Sequence, residues 1–467
     1  MMNSNVRAVA DEFLAFLNRA VSPFHAVEEC AKKLESAGFR EVKESEQWSA
    51  EPNSKLFMRK NRSSLVAWAV GGAFQPGNGN SIIAAHTDSP CLKLKPVSQI
   101  KGQGAIQLGV APYGGGLWRT WFDRDLALAG RVVYKTEGGQ LAQALLHIPR
   151  PILYIPNLAI HLDLERDKFT FKKEEHLKPI LASEAAARLN QLPTSPDKAD
   201  CDKKGPQVTG DHDPAFLKLI ADTVGIQPEQ IRDLELNLLD AQPAALVGLY
   251  SELVAGGRLD NLVGSYAAVW ALADSVSQES SLAKDPQLRL AVCFDNEECG
   301  SQSAQGAMST MLEWVLRRLH KGEGRFEASI PRSLLVSADQ AHACHPNYAA
   351  KHECNHKVAF HEGVVIKINP NQRYATTALT HAVIKEVAER ANVPLQKIVV
   401  PNDSPCGSTV GPILAAKLGM ATVDLGTPML AMHSIRELTC TSGIAQARQL
   451  YKKFYEELAD VLANTEM

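Results

Sequence analysis

The segment Ser81-Ile82-Ile83-Ala84-Ala85 is apolar without alternation and stops abruptly at His86-Thr87-Asp88-Ser89-Pro90. A strand with one face in water alternates apolar and polar residues, so a run like this belongs to a strand covered on both faces. Ser64–Val70, Leu288–Phe294, Ser333–Ser337 and 420–425 read as further strands. Helical spacing marks an amphipathic helix over Val6–Leu17 and a second over 24–37 that stops near Gly38. Further helices are expected over 301–320, over 377–391 and from about 441. Strands alternating with helices in both terminal parts predict an α/β fold with a central mixed sheet flanked by helices.

The texture changes between about 97 and 180. Ala105–Val110 and Arg131–Tyr134 alternate, which predicts antiparallel, half-exposed sheet. The expected organisation is one discontinuous α/β domain, 1–96 and 243–467, interrupted by a β-rich insertion at 97–242. Residues 192–214, rich in Pro, Asp, Lys and Ser, read as a mobile surface loop.

Composition removes several classes of function. The 467 residues are 45% hydrophobic, and Lys+Arg 49 nearly balance Asp+Glu 52. That balance leaves no electrostatic footprint for nucleic acid, and the apolar content is too high for a disordered chain. No apolar run approaches the roughly 18 residues of a membrane span. Arg7, Asp11 and Glu12 interrupt any secretory signal, and nine cysteines lie singly with no CxxC pair. Reduced thiols and a cytoplasmic protein are expected.

Chemistry gathers at the strand ends, where open α/β sheets place their ligands. His86 and Asp88 follow the first buried strand, Asp295-Asn296-Glu297-Glu298 follows Phe294, and Asp339 follows Ser337. Thr422–Leu425 leads on to His433, and Asp260 stands just before an apolar helix. Singly, each residue has an ordinary explanation: a polar histidine, an N-cap, a solvated acid pair. Together, two histidines and three or four carboxylates form a mixed N/O set suited to zinc, or to Mn or Co. Five ligands exceed what one catalytic zinc uses and suit a two-metal site with a bridging carboxylate. Of the pair Glu297-Glu298, one can bind metal while its neighbour takes a proton from water. Asp88 can orient His86.

Two competing sites deserve weighing. His352-Glu353-Cys354-Asn355-His356 fits H-E-x-x-H, but its polar context lacks the apolar face a zincin helix needs. Cys293, Cys299 and Cys344 lie near acids and histidines, yet no recognised nucleophile motif surrounds them, so buried structural thiols are expected.

Several long strings then become recognisable. His86–Leu92, Trp121–Leu126, Arg258–Asn261, Asp295–Glu298, Ser301–Ala307, Asp339–His342 and Ala431–Glu437 resemble the aspartyl aminopeptidase family of co-catalytic zinc exopeptidases. The likeness runs from Ser22–Val27 to the last helix. It implies a metalloaminopeptidase with a zinc-exopeptidase-like fold that releases N-terminal Asp, and also Glu, from peptides. Asp260 would bridge two zinc ions, one position exchangeable with Mn or Co. His86 and Asp339 would complete one metal, and Glu298 and His433 the other. Glu297 would be the general base, and Asp88 matches the family's orienting aspartate.

Lys367 interrupts the apolar run Val364–Ile368, an unusual place for an unpaired ammonium unless it lies on an edge strand or meets a substrate carboxylate. The resemblance places Lys367 in the substrate pocket and Tyr374 near the reacting carbonyl, as an oxyanion donor. It also counts His342 among the substrate-binding residues. The insertion resembles a dimerisation domain, with His161 reaching into a neighbouring subunit's site. The assembly implied is a homo-oligomer, dimers forming a tetrahedral dodecamer, with no nucleic-acid or membrane partner. Two alternatives remain at this level: another binuclear hydrolase of the same clan, such as a deacylase or carboxypeptidase, and a non-catalytic assembly protein with the same fold.

Overall fold

The computed structural model of the protein describes residues 4–190 and 210–466. Most of the 192–214 segment lies outside these residues. Two compact units are present, one comprising the chain up to Ser89 and from Ala244 onward, the other Pro90–Pro243.

The first unit is built on a nine-stranded mixed sheet. Its strands lie side by side in the order Arg40–Glu41, Lys55–Lys60, Ser64–Val70, Leu288–Phe294, Asn80–His86, Leu334–Ala338, Thr422–Gly426, Val364–Lys367 and Leu395–Ile398. Leu288–Phe294, Asn80–His86, Leu334–Ala338 and Thr422–Gly426 run parallel, with Phe294 level with His86 and Ala338 level with Leu425. Their carboxyl ends therefore open at one edge, side by side.

The missing alternation in these strands has a direct cause. Ile83, Ala85, Ala291 and Cys293 pack into one core with Phe13, Phe16, Tyr266 and Phe454, while Ile82, Ala84, Leu290 and Val292 pack into another with Trp68, Met311 and Leu414. Both faces are dry, so both must be apolar. The helix Leu259–Ser275 is buried around nearly its whole circumference, as its apolar sequence requires. Its Tyr266 and Trp270 rings stack with centroids 4.4 Å apart, and the Phe16 ring meets Trp270 at 5.1 Å. This anchoring fixes the helix start, which carries Asp260.

A smaller sheet in the same unit, ordered Ala245–Val247, Leu253–Gly256, Glu437–Cys440, Pro428–Leu430 and Ala341–His342, carries the connection on which His433 lies.

In the second unit six antiparallel strands close into a barrel: Ile231–Asp240, Cys91–Gly102, Ala105–Tyr113, Ile180–Ser183, Leu141–Tyr154 and Asp125–Lys135. Closure removes both sheet edges. It also buries Leu126–Gly130 without alternation, whereas Arg131–Tyr134 beyond it is partly exposed as expected.

The helix expected over 301–320 is confined to Met311–Leu319. Residues 301–310 form turns. Ser301 has a positive φ, and a Cβ on Gly306 would lie 2.4 Å from the Ser301 carbonyl, so this stretch folds back on itself rather than coiling.

Candidate metal centre and substrate cavity

His86 ends its strand with the imidazole turned into the crevice. Its Nδ1 donates to the main-chain carbonyl of Asp88 at 3.0 Å, which turns Nε2 towards the acids of the crevice. That Nε2 lies 3.5 Å from Asp260 Oδ1, 3.8 Å from Asp339 Oδ1 and 3.9 Å from Glu297 Oε2. His433 Nε2 approaches from the other side, 3.4 Å from Asp260 Oδ2 and 3.3 Å from Glu298 Oε1. The two oxygens of Asp260 thus face different histidines.

Local structure holds each group. Asp260 and Asn261 depart from helical geometry at the start of Leu259–Ser275, and the peptide bond between them is cis. Asn261 Nδ2 donates to the Ala338 carbonyl at 2.7 Å, tying the helix start to the strand that delivers Asp339. Ser89 Oγ donates to the Asp260 carbonyl at 2.5 Å. The Asp88 carboxylate accepts the N–H groups of Glu297 at 3.1 Å and Glu298 at 3.0 Å. Asp88 was expected to orient His86, and it meets the ring Nδ1 through its main-chain carbonyl and also through its carboxylate, Oδ1 lying 3.4 Å away; that same carboxylate holds the acidic pair.

His86, Asp260 and Asp339 form one set of converging ligand atoms, and Asp260, Glu298 and His433 another; His86, Glu297 and Glu298 also converge. Asp260 Oδ1 and Glu298 Oε1 are buried without a hydrogen-bond partner, a costly state for carboxylate oxygens. Charge tells the same story. Burial alone would lower the His86 imidazole, yet the surrounding Asp260, Asp339 and Asp88 raise it well above its usual value, and Asp260 and Glu298 raise His433. Burial pushes the carboxyls of Glu297 and Glu298 up, with neighbouring acids adding to the effect. Lys367 lines the cavity that also holds Asp260, Glu297, Glu298 and Asp339. A crowded N/O donor set with orphaned oxygens fits divalent cations such as zinc.

The cavity, about 340 Å³, is lined also by His342, Tyr374, Gly407, Ser408, Thr409 and Met432. The Lys367 ammonium is 3.6 Å from Asp339 Oδ2 and 5.2 Å from the centre of the Tyr374 ring. Its ammonium is thus paired with an acid of the protein, and its strand is interior, between Thr422–Gly426 and Leu395–Ile398, rather than the edge strand that was one of the two expectations. Tyr374 is buried, and His342 is exposed at the cavity wall. His161 belongs to the second unit, exposed in a turn.

The Gly407–Thr409 wall went unread in the sequence, although a Gly-Ser-Thr string before an apolar helix is a visible start signal. Thr409 caps the helix Val410–Leu418. Asp424, fully buried, accepts the Thr409 hydroxyl at 2.5 Å and the Ala375 N–H at 2.6 Å, which fixes this wall and the Tyr374 loop together.

The competing motifs fall away. His352–His356 is irregular chain rather than helix. His352 Nε2 accepts the His345 N–H at 3.0 Å, and His356 Nδ1 is engaged by Glu353. Neither joins a converging ligand set among the described residues. Cys293 is buried in its strand and Cys344 partly so, whereas Cys299, expected to be buried, is exposed.

A mixed α/β sheet that gathers histidines and carboxylates at adjacent strand ends defines a hydrolytic metalloenzyme. The chain belongs to the M18 family of aminopeptidase I zinc metalloproteases, whose profile matches residues 16–455. It is thus a zinc metallo-aminopeptidase. It is 55% identical to the aspartyl aminopeptidase of Caenorhabditis elegans over 463 residues, covering 98% of this chain and 97% of that one. With the aspartyl aminopeptidase of Aspergillus oryzae it shares 45% over 487 residues, 98% of this chain and 97% of the other. Among solved structures, the Ape4 and Nbr1 complex superposes with a TM-score of 0.93 at 43% identity, covering 99% of this chain and 88% of that chain. The Saccharomyces cerevisiae mApe1 dodecamer gives 0.84 at 27% identity, with 98% of each chain covered. These likenesses favour neither the deacylase nor the non-catalytic alternative.

Proposed function

We propose that this aminopeptidase releases Asp, and also Glu, from the free N-termini of peptides with two zinc ions per chain. The observation that carries this is a single cavity holding two ligand sets that share Asp260, with Lys367 on the same wall. His86, Asp260 and Asp339 would hold one ion, and Asp260, Glu298 and His433 the other. One position is exchangeable with Mn or Co. Zinc held there would supply a Lewis acid able to lower the pKa of water towards ~7 and to polarise a carbonyl.

The chain's own residues supply the rest. Glu297, 3.9 Å from His86 Nε2 but outside the sets assigned to the two ions, takes the proton from the attacking water. It returns that proton to the leaving amine as the C–N bond breaks. Asp88 holds Glu297 in place through its N–H. The Tyr374 hydroxyl donates to the carbonyl oxygen as negative charge develops. Lys367 receives the acidic side chain, since its ammonium reaches the cavity beside Asp339. His342 contacts substrate from the cavity wall.

The second unit, Pro90–Pro243, acts as the dimerisation domain of the discontinuous catalytic domain. Leu158, Ile160, Leu162 and Leu164, exposed beside His161, form apolar surface that a second copy would cover. His161 then enters the neighbouring subunit's site, and dimers assemble into a tetrahedral dodecamer; the dodecameric structural relative supports a homo-oligomer of that size. No helix among the described residues is long and apolar enough to cross a membrane, in keeping with a cytoplasmic enzyme.

Hydrolysis of Asp-amide, Leu-amide and N-acetyl-Asp-amide, before and after chelation, tests this function. Cleavage of the Asp substrate alone, lost on chelation and restored by zinc, is expected. Equal cleavage of the Leu substrate contradicts the acidic specificity; cleavage of the blocked substrate contradicts exopeptidase action.

A further inference from the structure

Glu437 has no part in the chemistry above, yet its side chain ties together the two chain segments that carry Asp260 and His433. It is buried at the first position of the strand Glu437–Cys440, level with Gly256 on the neighbouring strand. Its Oε2 accepts the main-chain N–H of Asp260 at 3.1 Å, and its Oε1 accepts the main-chain N–H of His433 at 2.7 Å. These amides are 173 positions apart in the numbering of the chain, and one carboxylate spans both.

Both amides lie in irregular backbone. Asp260 lies in the first turn of its helix, where N–H groups have no intrahelical acceptor. His433 sits in a tight connection with φ of 64°, a left-handed conformation that a non-glycine residue holds only with support. The two segments also come into close contact nearby: a Cβ on Gly257 would lie 2.7 Å from the Ile435 carbonyl. Glu437 itself belongs to none of the converging ligand sets among the described residues.

We infer that Glu437 is a positioning residue that sets the spacing between Asp260 and His433, and through it the affinity of the metal position they share. This rests on the assignment of those two residues as metal ligands. Only a carboxylate of this length supplies two acceptors at the required span. Glutamine keeps the shape but turns one acceptor into a donor facing an N–H; aspartate keeps the charge but falls short by one methylene.

The test is zinc retention by the full-length oligomer across a graded series of a competing chelator, with zinc measured directly. E437Q and E437D are compared with the parent and with the ligand variants D260N and H433A, folding being checked by circular dichroism. Both Glu437 variants are expected to surrender zinc at ~10–100-fold lower chelator, the range for residues that orient ligands. Their kcat should recover in excess zinc, with KM for an Asp substrate within about threefold of the parent, a split that general loosening of the fold would not produce. If E437Q fails to fold, E437D carries the comparison alone. Zinc retention within about twofold of the parent in the folded Glu437 variant, while D260N and H433A lose it, overturns the inference and leaves the metal site standing. Retention in D260N and H433A as well overturns the ligand assignment itself, and the inference with it.

Discussion

The carboxylate of Asp88 accepts the main-chain N–H of Glu297 at 3.1 Å, and its second oxygen accepts the next N–H, that of Glu298. One buried acid thereby fixes two others, each with a different task, at the end of an adjacent strand. Asp88→Asn leaves a single acceptor for two donors. A fall in kcat of about 10–100-fold is expected, with KM little changed. Steady-state kinetics on an Asp substrate checks this; an unaltered kcat would remove Asp88 from the positioning role.

Glu297 and Glu298 are adjacent in sequence but should separate cleanly in experiment. Glu297→Ala is expected to keep its zinc while losing at least ~10²-fold in kcat. Glu298→Ala should lose zinc from one position. Metal analysis beside kinetics distinguishes them, and near-normal turnover in Glu297→Ala would end its assignment as base.

Lys367 is the group expected to distinguish acidic from neutral substrates. Replacing it with Met removes the ammonium while keeping much of the stem's volume. The loss in kcat/KM should be roughly 30-fold or more for an Asp substrate, from a buried charge pair worth at least ~2 kcal/mol, and much smaller for Leu. Because Lys367 also neighbours Asp339, zinc content is measured alongside. Equal losses on both substrates would transfer Lys367 from specificity to metal support.

His320 offers a stability test remote from the metal centre. It is buried; its Nδ1 accepts the Gly77 N–H at 3.1 Å, and its Nε2 pairs with Asn80 Oδ1 at 2.9 Å. Those partners select the neutral ring with the proton on Nε2. Burial pushes the imidazole down to about 4. The unfolded chain therefore binds a proton between about 6.5 and 4 that the folded chain refuses, so the contribution to stability is full above 6.5 and is lost as pH falls. Loss of on the order of 3 kcal/mol is the upper bound. Thermal midpoints from pH 7 to 4.5 should fall more steeply for the parent than for His320→Gln; parallel slopes would contradict this.

The parts of the site that were legible in the sequence share one physical cause. A strand buried on both faces is largely apolar, so Ile82–Ala85 and Leu334–Val336 stand out, and the chemistry begins where the apolar run gives way to buried polar residues, at His86 and Asp339. Pairings between distant segments leave no such mark. Nothing local to Lys367 reveals that its strand is interior, or that Asp339 lies 3.6 Å away. Closure of the barrel depends on Ile231–Asp240 meeting Cys91–Gly102 and Asp125–Lys135, a relation no window of sequence contains. The short helix Met311–Leu319 was overextended because helical spacing continues into residues whose turns are held by Gly306 and Ser301.

Asp260 is the hinge of the whole account, since its two oxygens serve two ligand sets. The most direct measurement is zinc per chain, by elemental analysis, in the parent, His86→Ala, His433→Ala and Asp260→Asn. The expected result is two ions in the parent, one lost from each histidine variant, and both weakened in Asp260→Asn. A parent that saturates with one ion, or an Asp260→Asn chain that keeps both as tightly as the parent, would contradict a shared carboxylate between two metals.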